Sequence, residues 1–468
     1  MSPEEVQALV AENEALRAEN EALHAEVGAL RQLLAELTGQ LQVALARIAE
    51  LEQRDSEPPA FVKPNRAPTE PKGPRKKRAT EHNTSRERAE PTRIERHVLE
   101  RCPDCNYQLS GESIDYTREV IELLPPQPVE VIEHQVIKRW CPCCGQWQSP
   151  RLDLTGQVIG QGRIGVRIAS LVSYLRTSLR LPVRAIQDYL VTLHNLQISL
   201  GEIVELTHDV RQELQPQADE LKAKVQGSMV AHGDETGWRE NGQNGYVWAF
   251  VTGGPQAVRF FEFSHSRSHL VAKGILGADF RGWLVTDFYA AYNLIPGPHQ
   301  RCWVHLLRDL HALKEAQAAN PEVLEWTTAV RQLYNDANTW LVEHPTPTLV
   351  ERRTEYNDLF TRACRLGEQY ALVYAHPCCI LAKRVLRHQD ELFQFVLVPG
   401  LPADNNLAER SIRPLVIMRK ISGGSRSDEG TKTRLTLASL FGTWAARGLN
   451  LFVECLTALQ QPIAATLS

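Results

Sequence analysis

Three carboxylates, Asp234, Asp287 and Glu409, each sit at the edge of an expected element beside small or turn residues, where a side chain can converge on an exposed ion. Carboxylates placed in this way can hold two divalent cations about 4 Å apart, which activate a water and then a 3′-hydroxyl and stabilise the leaving oxygen of an in-line phosphodiester displacement. Hard oxygen donors favour Mg²⁺, with Mn²⁺ as a substitute. A chain with 56 acidic residues contains many such triples, so the neighbourhoods rather than the spacing select these three. Glu235 competes with Asp234. Glu429, which follows a glycine-rich turn, competes with Glu409.

The cysteines suggest a second chemistry. Ten occur in 468 residues, and four form two C-x-x-C pairs, Cys102 with Cys105 and Cys141 with Cys144. Two such knuckles can present four thiolates to one tetrahedral Zn²⁺. Cys143 is a competing ligand, and buried free thiols are the bland alternative. Cys302 and His305 form a C-x-x-H pair with His299 and His311 nearby; a second zinc site is one reading, and a structural role in positioning the segment that follows is the other. His232 reads as a strand residue lining the site.

The elements that must position these groups follow from periodicity. Alternating β-branched residues predict strands over residues 114–124 and 129–140, which would bring the two knuckles together. Residues 163–225 are helical in pattern, with a break at Leu181-Pro182, a turn around His194-Asn195 and a helix capped by Ser199. Those proportions suit a helix-turn-helix and equally a plain three-helix bundle. From residue 229 strands take over. One over 229–234 ends at Asp234-Glu235, others cover 246–252 and 257–263, a helix covers 268–276, and a short strand over 282–286 ends at Asp287. Another strand is expected over 300–304. Three antiparallel strands, a helix and a strand with an aspartate at its end is the order of the ribonuclease-H-like fold. Residues 304–398 are largely helical, and Asp404 or Asn405 caps a further helix carrying Glu409.

The first fifty residues repeat in heptads. Val6, Asn13, Asn20, Val27, Leu34, Leu41 and Ile48 occupy a, and Leu9, Leu16, Leu23, Leu30, Leu37, Ala44 and Leu51 occupy d. Asparagine at a is best satisfied by its mate in a parallel dimer, so the segment is expected to form a leucine-zipper coiled coil. Charge is segregated behind a net of −4: three arginines face ten glutamates over residues 1–52, whereas twelve lysines and arginines face six glutamates over 60–101. The latter stretch is a proline-interrupted linker whose run Arg75, Lys76, Lys77, Arg78 suits phosphate contact as well as solvation. Arg410, Arg413, Arg419 and Lys420, downstream of Glu409, are placed to hold phosphates; surface charge or helix pairing is their bland alternative. No apolar run reaches the roughly 18 residues of a membrane span, and the acidic N-terminus is unlike a secretion signal.

His232-Gly-Asp-Glu-Thr-Gly-Trp238, Val285-Thr-Asp-Phe-Tyr-Ala-Ala-Tyr292, Cys302-Trp-Val-His305 and Asp404-Asn-Asn-Leu-Ala-Glu-Arg-Ser-Ile-Arg-Pro414, together with the zipper and the knuckles, resemble the insertion-sequence-66 family of bacterial DDE transposases over essentially the whole chain. The resemblance implies that Asp234, Asp287 and Glu409 are a catalytic triad, with a helical insertion between the second and third members. It also implies double-stranded DNA partners (terminal inverted repeats and target), two small co-encoded accessory proteins, and a cytoplasmic, nucleoid-associated location. The expected organisation is a coiled coil over 1–53, a basic linker over 54–101, a zinc module over 102–150 and a helical DNA-binding segment over 151–226. An α/β ribonuclease-H-like core then occupies 227–305 and 401–468, split by the helical insertion over 306–400. A zinc- and zipper-containing DNA-binding regulator without catalysis is the alternative. A homodimer or higher oligomer through the coiled coil carries the first test: peptide 1–52 should sediment as a dimer at micromolar concentration, and replacing Asn13 and Asn20 by leucine should raise its thermal stability while broadening its oligomer distribution. A monomer would remove the dimer argument.

Overall fold

The structure is a computed structural model that describes residues 90–461 and scattered positions between Arg17 and Leu45. Most of the heptad segment and all of Arg75, Lys76, Lys77 and Arg78 lie outside the described residues. The described N-terminal positions are helical, and Leu23, Val27, Leu30, Leu34, Leu37 and Leu41 are exposed. The chain divides into two units, residues 1–121 and 122–468, and each is treated by itself.

In the second unit a short hairpin, β1 (Arg139–Cys141) and β2 (Gln146–Gln148), precedes four helices: α1 (Val166–Thr177), α2 (Val183–His194), α3 (Leu200–Glu213) and α4 (Gln215–Gln226). The sheet region follows with β3 (Val230–Glu240), β4 (Gln243–Val251), β5 (Arg259–Ser264), α5 (His269–Leu276), β6 (Trp283–Thr286) and β7 (His299–Arg301). Six helices then intervene: α6 (Trp303–Ala316), α7 (Pro321–Glu343), α8 (Leu349–Ala371), α9 (Cys379–Arg387), α10 (Gln389–Leu392) and α11 (Gln394–Leu397). The chain returns with α12 (Asn406–Ser422), α13 (Asp428–Ala446) and α14 (Leu451–Gln460).

The five strands run in the order β5-β4-β3-β6-β7, the first three antiparallel and the last two parallel to β3. Both faces are covered, and the period of two sorts side chains between them. On β4, Trp248 and Phe250 join the large core shared with the four leading helices and α13, whereas Val247 and Ala249 join a smaller core with Ile412 and Leu415 of α12. The intervening helices bury a separate core around Trp303, Trp326, Leu359 and Phe393.

Two expectations are corrected. Residues 114–124 and 129–138 form no strand; only Arg139–Cys141 pairs. Ile114, Val120, Ile121, Val131 and Ile137 are exposed, and alternation without a surface to bury against does not make a strand. The strand expected to stop at Asp234-Glu235 instead continues to Glu240. Asn241 and Gly242 both have positive φ, 48° and 77°, which makes the tight two-residue turn that matches hairpin twist and keeps β3 and β4 paired out to Glu240 and Gln243. The expected turn between the helices is present: Asn195 is left-handed, and Ser199 accepts from the Glu202 amide at 3.1 Å.

Arg301 ties the sheet to the intervening helices. Its side chain is fully buried and donates to the Asp287 carbonyl (3.0 Å), Thr286 Oγ1 (3.0 Å), Asn293 Oδ1 (2.8 Å) and the Glu391 carboxylate. Burial alone would raise the Glu391 carboxyl, but hydrogen bonds from His388 and Arg301 outweigh it and bring it down to about 2. Glu391 therefore stabilises the fold above its unfolded value of about 4.3, and that contribution is lost as pH falls toward 2. Arg301→Ala leaves a buried carboxylate without its partner and should cost about 3–5 kcal/mol in urea unfolding at pH 7. The double substitution Arg301→Met, Glu391→Leu should recover most of the loss; equal midpoints for the single and double variants would contradict this account.

Candidate active site

Asp234 lies in the middle of β3. The parallel pairing of β3 with β6 runs from Val230 to His232, two residues before Asp234, and Asp287 directly follows Thr286, the last residue of β6. Cys302 directly follows Arg301, the last residue of β7, and its amide donates to the Thr286 carbonyl at 2.8 Å. Residues at one level of adjacent strands share a face, and Asp234 stands opposite Ala249, which belongs to the core beneath α12. Helix α12 crosses that face and carries Glu409 in its first turn. The Asp234 carboxyl is pushed up to about 7, first by burial and then by the charges of Glu235, Asp287 and Glu409, with a bond from the Glu235 amide opposing. Asp287 accepts the Tyr289 amide at 2.9 Å.

Asn405 holds the helix on the strand. Sequence reasoning assigned it only a possible cap, yet it is buried with its amide group turned to β3: Nδ2 donates to the Gly233 carbonyl at 2.8 Å, and Oδ1 lies 3.2 Å from His232 Nδ1. Asn405 occupies the N-cap position without a side-chain cap bond, and Asp404 before it accepts from the Asn406 amide at 3.0 Å. Burial lowers His232 to about 4, so at neutral pH the ring is uncharged and its Nδ1–H donates to Asn405. On the opposite face Gly233 leaves room for the large core, since a Cβ there would come to 3.0 Å from the Phe250 ring.

The competing carboxylates are engaged elsewhere. Glu235 points to the opposite face, where Arg267 donates to it at 2.6 Å and Tyr292 donates its hydroxyl. Arg267 in turn lies over the Tyr289 ring, 3.9 Å from its centre. Glu429 pairs with Arg211 of α3. Among the basic residues after Glu409, Arg410, Arg413 and Lys420 are exposed, whereas the Arg419 guanidinium turns onto β3 and donates to the Gly237 carbonyl and, at 3.3 Å, to Thr236 Oγ1. A cavity of about 750 Å³ beside His232 includes Lys224, Asp404 and Arg410 in its wall.

Among the described residues, the tightest meeting of potential metal donors is not the three carboxylates but Cys302, His305 and Glu409, whose donor atoms lie within 4.8 Å of one another. The two C-x-x-C turns have the same local form, each within its own unit. The Asn106 amide donates to the Cys102 carbonyl and the Gly145 amide to the Cys141 carbonyl, both at 2.9 Å, and both donors have positive φ. Backbone amides pointing at sulfur lower the Cys102 thiol, chiefly from Asp104, and the Cys141 thiol, chiefly from Cys144.

A mixed five-stranded sheet with carboxylates gathered under a helix defines an α/β protein with an acidic site. Comparison with known families gives the assignment. Residues 161–433 match the model described as "Transposase IS66 family", and residues 100–145 match the zinc-finger binding domain of transposase IS66. The chain belongs to the IS66 family of transposases, and the second match supports a structural zinc in residues 100–145. Two proteins of Sinorhizobium fredii are similar. One, named uncharacterized protein y4jO, is 30% identical over 198 residues, 42% of this chain and 57% of its own length; the other, uncharacterized protein y4qI, is 24% identical over 282 residues, 51% and 48%. The chain thus spans about half the length of the curated relatives it matches. No helix among the described residues is long and apolar enough to cross a membrane.

The raised Asp234 carboxyl has a measurable sign. Its folded value of about 7 exceeds the unfolded value of about 3.9, so its contribution to stability is fully present below about pH 4 and is lost as pH rises through 7. In chelator, Asp234→Asn should therefore stabilise the protein by roughly 2–4 kcal/mol at pH 8 and by close to nothing at pH 4. Equal gains at both pH values, read from urea unfolding, would show that the carboxyl is not strained by its surroundings.

Proposed function

We propose that the chain is a DDE transposase that binds the terminal inverted repeats of an insertion sequence and catalyses metal-dependent cleavage and strand transfer of DNA. One observation carries this reading: Asp234 on β3, Asp287 just past the end of the parallel neighbour β6, and Glu409 in the first turn of α12 lie near enough for the last two charges to raise the Asp234 carboxyl. The strand order, with three antiparallel strands followed by two parallel ones, supports a ribonuclease-H-like core interrupted by helices α6 to α11. The family match supports DNA as substrate.

Asp234, Asp287 and Glu409 would hold Mg²⁺ or Mn²⁺. The fit is chemical: the donors are hard oxygens, and the Asp234 carboxyl, raised by burial and then by its neighbours' negative charges, is the kind of group that a divalent cation relieves. When bound, the cations supply the polarisation that in-line phosphodiester displacement requires. The chain's own residues do the rest. Asn405 and His232 fix the approach of α12 to β3, Arg301 fixes the backbone at Asp287, and exposed Arg410, Arg413 and Lys420 offer phosphate contacts around the site. Arg419, also a sequence candidate for DNA contact, acts here as a brace between α12 and β3. The knuckle thiolates of Cys102, Cys105, Cys141 and Cys144 would bind structural Zn²⁺, and the heptads would pair two chains so that two element ends are handled together.

Purified protein, Mg²⁺ and a labelled duplex ending in the element's own terminal repeats form the test. Alanine at Asp234, Asp287 or Glu409 should abolish cleavage, with affinity for the duplex changed less than about threefold, because binding comes mainly from phosphate contacts. Cleavage that persists without Asp234 or Asp287 would sink the mechanism. Specific binding with no cleavage by the parent protein would favour the regulator.

A further inference from the structure

The carboxylate that completes the proposed triad faces two different partners. Glu409 Oε1 lies 3.6 Å from His305 Nδ1, too far for a hydrogen bond, and both atoms are buried with no hydrogen-bond partner. Cys302 Sγ completes the group within 4.8 Å. A tetrahedral zinc with bonds of about 2.0–2.3 Å to nitrogen, oxygen and sulfur has edges of about 3.3–3.6 Å between its ligand atoms. Two buried polar atoms held apart at that separation are what such an ion would satisfy, and they are costly otherwise. The Asn405 amide points at Cys302 Sγ from 3.2 Å and Cys302 stands at the N-terminus of α6, but burial and the charge of Glu409 outweigh them and push the thiol up, so only a cation beside the sulfur would hold it as a thiolate.

We propose that Cys302, His305 and Glu409 form a site for a thiophilic divalent cation, Zn²⁺, with one coordination position left open. Sulfur and imidazole select Zn²⁺ over Mg²⁺, so this site is chemically distinct from Asp234 and Asp287 although it borrows Glu409. An ion held here withdraws Glu409 from the two aspartates. Zinc thereby antagonises Mg²⁺-dependent cleavage, a consequence that rests on the reading of Glu409 as a triad member; the binding site itself does not.

The test uses the full chain with its knuckle cysteines intact and loaded with Zn²⁺. Titration with further Zn²⁺, followed by elemental analysis, should show one more equivalent held by the parent than by Cys302→Ser or His305→Ala, whereas Asp234→Asn should retain it. Co²⁺ added in place of the second equivalent should give a sulfur-to-cobalt charge-transfer band that Cys302→Ser abolishes. This near-isosteric variant guards against misfolding as the cause. An unchanged equivalent in both variants, its loss in Asp234→Asn, or a cobalt band that survives Cys302→Ser would each overturn the site. In the cleavage assay, zinc at saturation should slow the parent by about tenfold or more and Cys302→Ser by less than about twofold. Equal inhibition of the two would overturn the antagonism while leaving the binding result to stand on its own.

Discussion

Repulsion between carboxylates on a partly dry sheet face is the constraint around which the structure is arranged. Asp234 bears the mark of it, held up to about 7 by burial and by the negative charges beside it. A free chain would separate these groups, so each is restrained through its backbone. Asp234 is fixed within a nine-residue antiparallel ladder to β4, Asp287 by Arg301 on its carbonyl, and Glu409 by the Asn405 amide bonded to Gly233. The buried bonds lie one shell behind the acids, where they hold position without neutralising charge. That division keeps the site electrostatically unsatisfied in the absence of a cation, the state from which a cation binds most strongly.

Glu409 differs from the two aspartates in its freedom. Asp234 belongs to a strand and Asp287 to the turn after one, with its carboxylate held by the Tyr289 amide. Glu409 has a longer side chain on a helix that only crosses the sheet, and Oε1 has no hydrogen bond. In the proposed reading, a side chain so placed would answer to whichever cation is nearer: a hard one beside the aspartates or a soft one beside Cys302 and His305. Glu235 and Glu429 are each paired with an arginine instead, Arg267 and Arg211 respectively.

The sequence made the acids and the strand order legible because both depend on local pattern. A period of two, a glycine and a turn dipeptide mark strands wherever they later pack, and an acidic residue at the end of a short apolar run stands out. What escaped depended on long-range contacts. Strand β3 outran its apolar stretch because β4 pairs with its polar half. Asn405 reads locally as a helix cap, and nothing nearby shows that its amide reaches β3, 172 residues away in sequence. Arg419 was grouped with the exposed cations because composition does not reveal which face of α12 turns toward a carbonyl. The alternating stretch over 114–124 shows the opposite error, a strand pattern with no surface to bury against.

The long excursion through α6 to α11 could be expected to loosen a site that depends on α12 returning to β3, since closing a loop costs more as it lengthens. The chain leaves and re-enters at one place. The Trp303 amide donates to the Ala403 carbonyl at 3.0 Å, the Cys302 amide to the Thr286 carbonyl at 2.8 Å, and the Asn405 amide to Cys302 sulfur at 3.2 Å. The six helices have their own core around Trp303 and Trp326, so the ordering of their hundred residues is supported by their own burial as well as by the tie of Arg301 to Glu391. Seen from the carboxylates, the insertion is then equivalent to a short connection between residues 302 and 405, and its length can change without moving Glu409. Cys302 is the pivot of that closure, and a cation on its sulfur would bear directly on Glu409, whose buried Oε1 has no hydrogen bond.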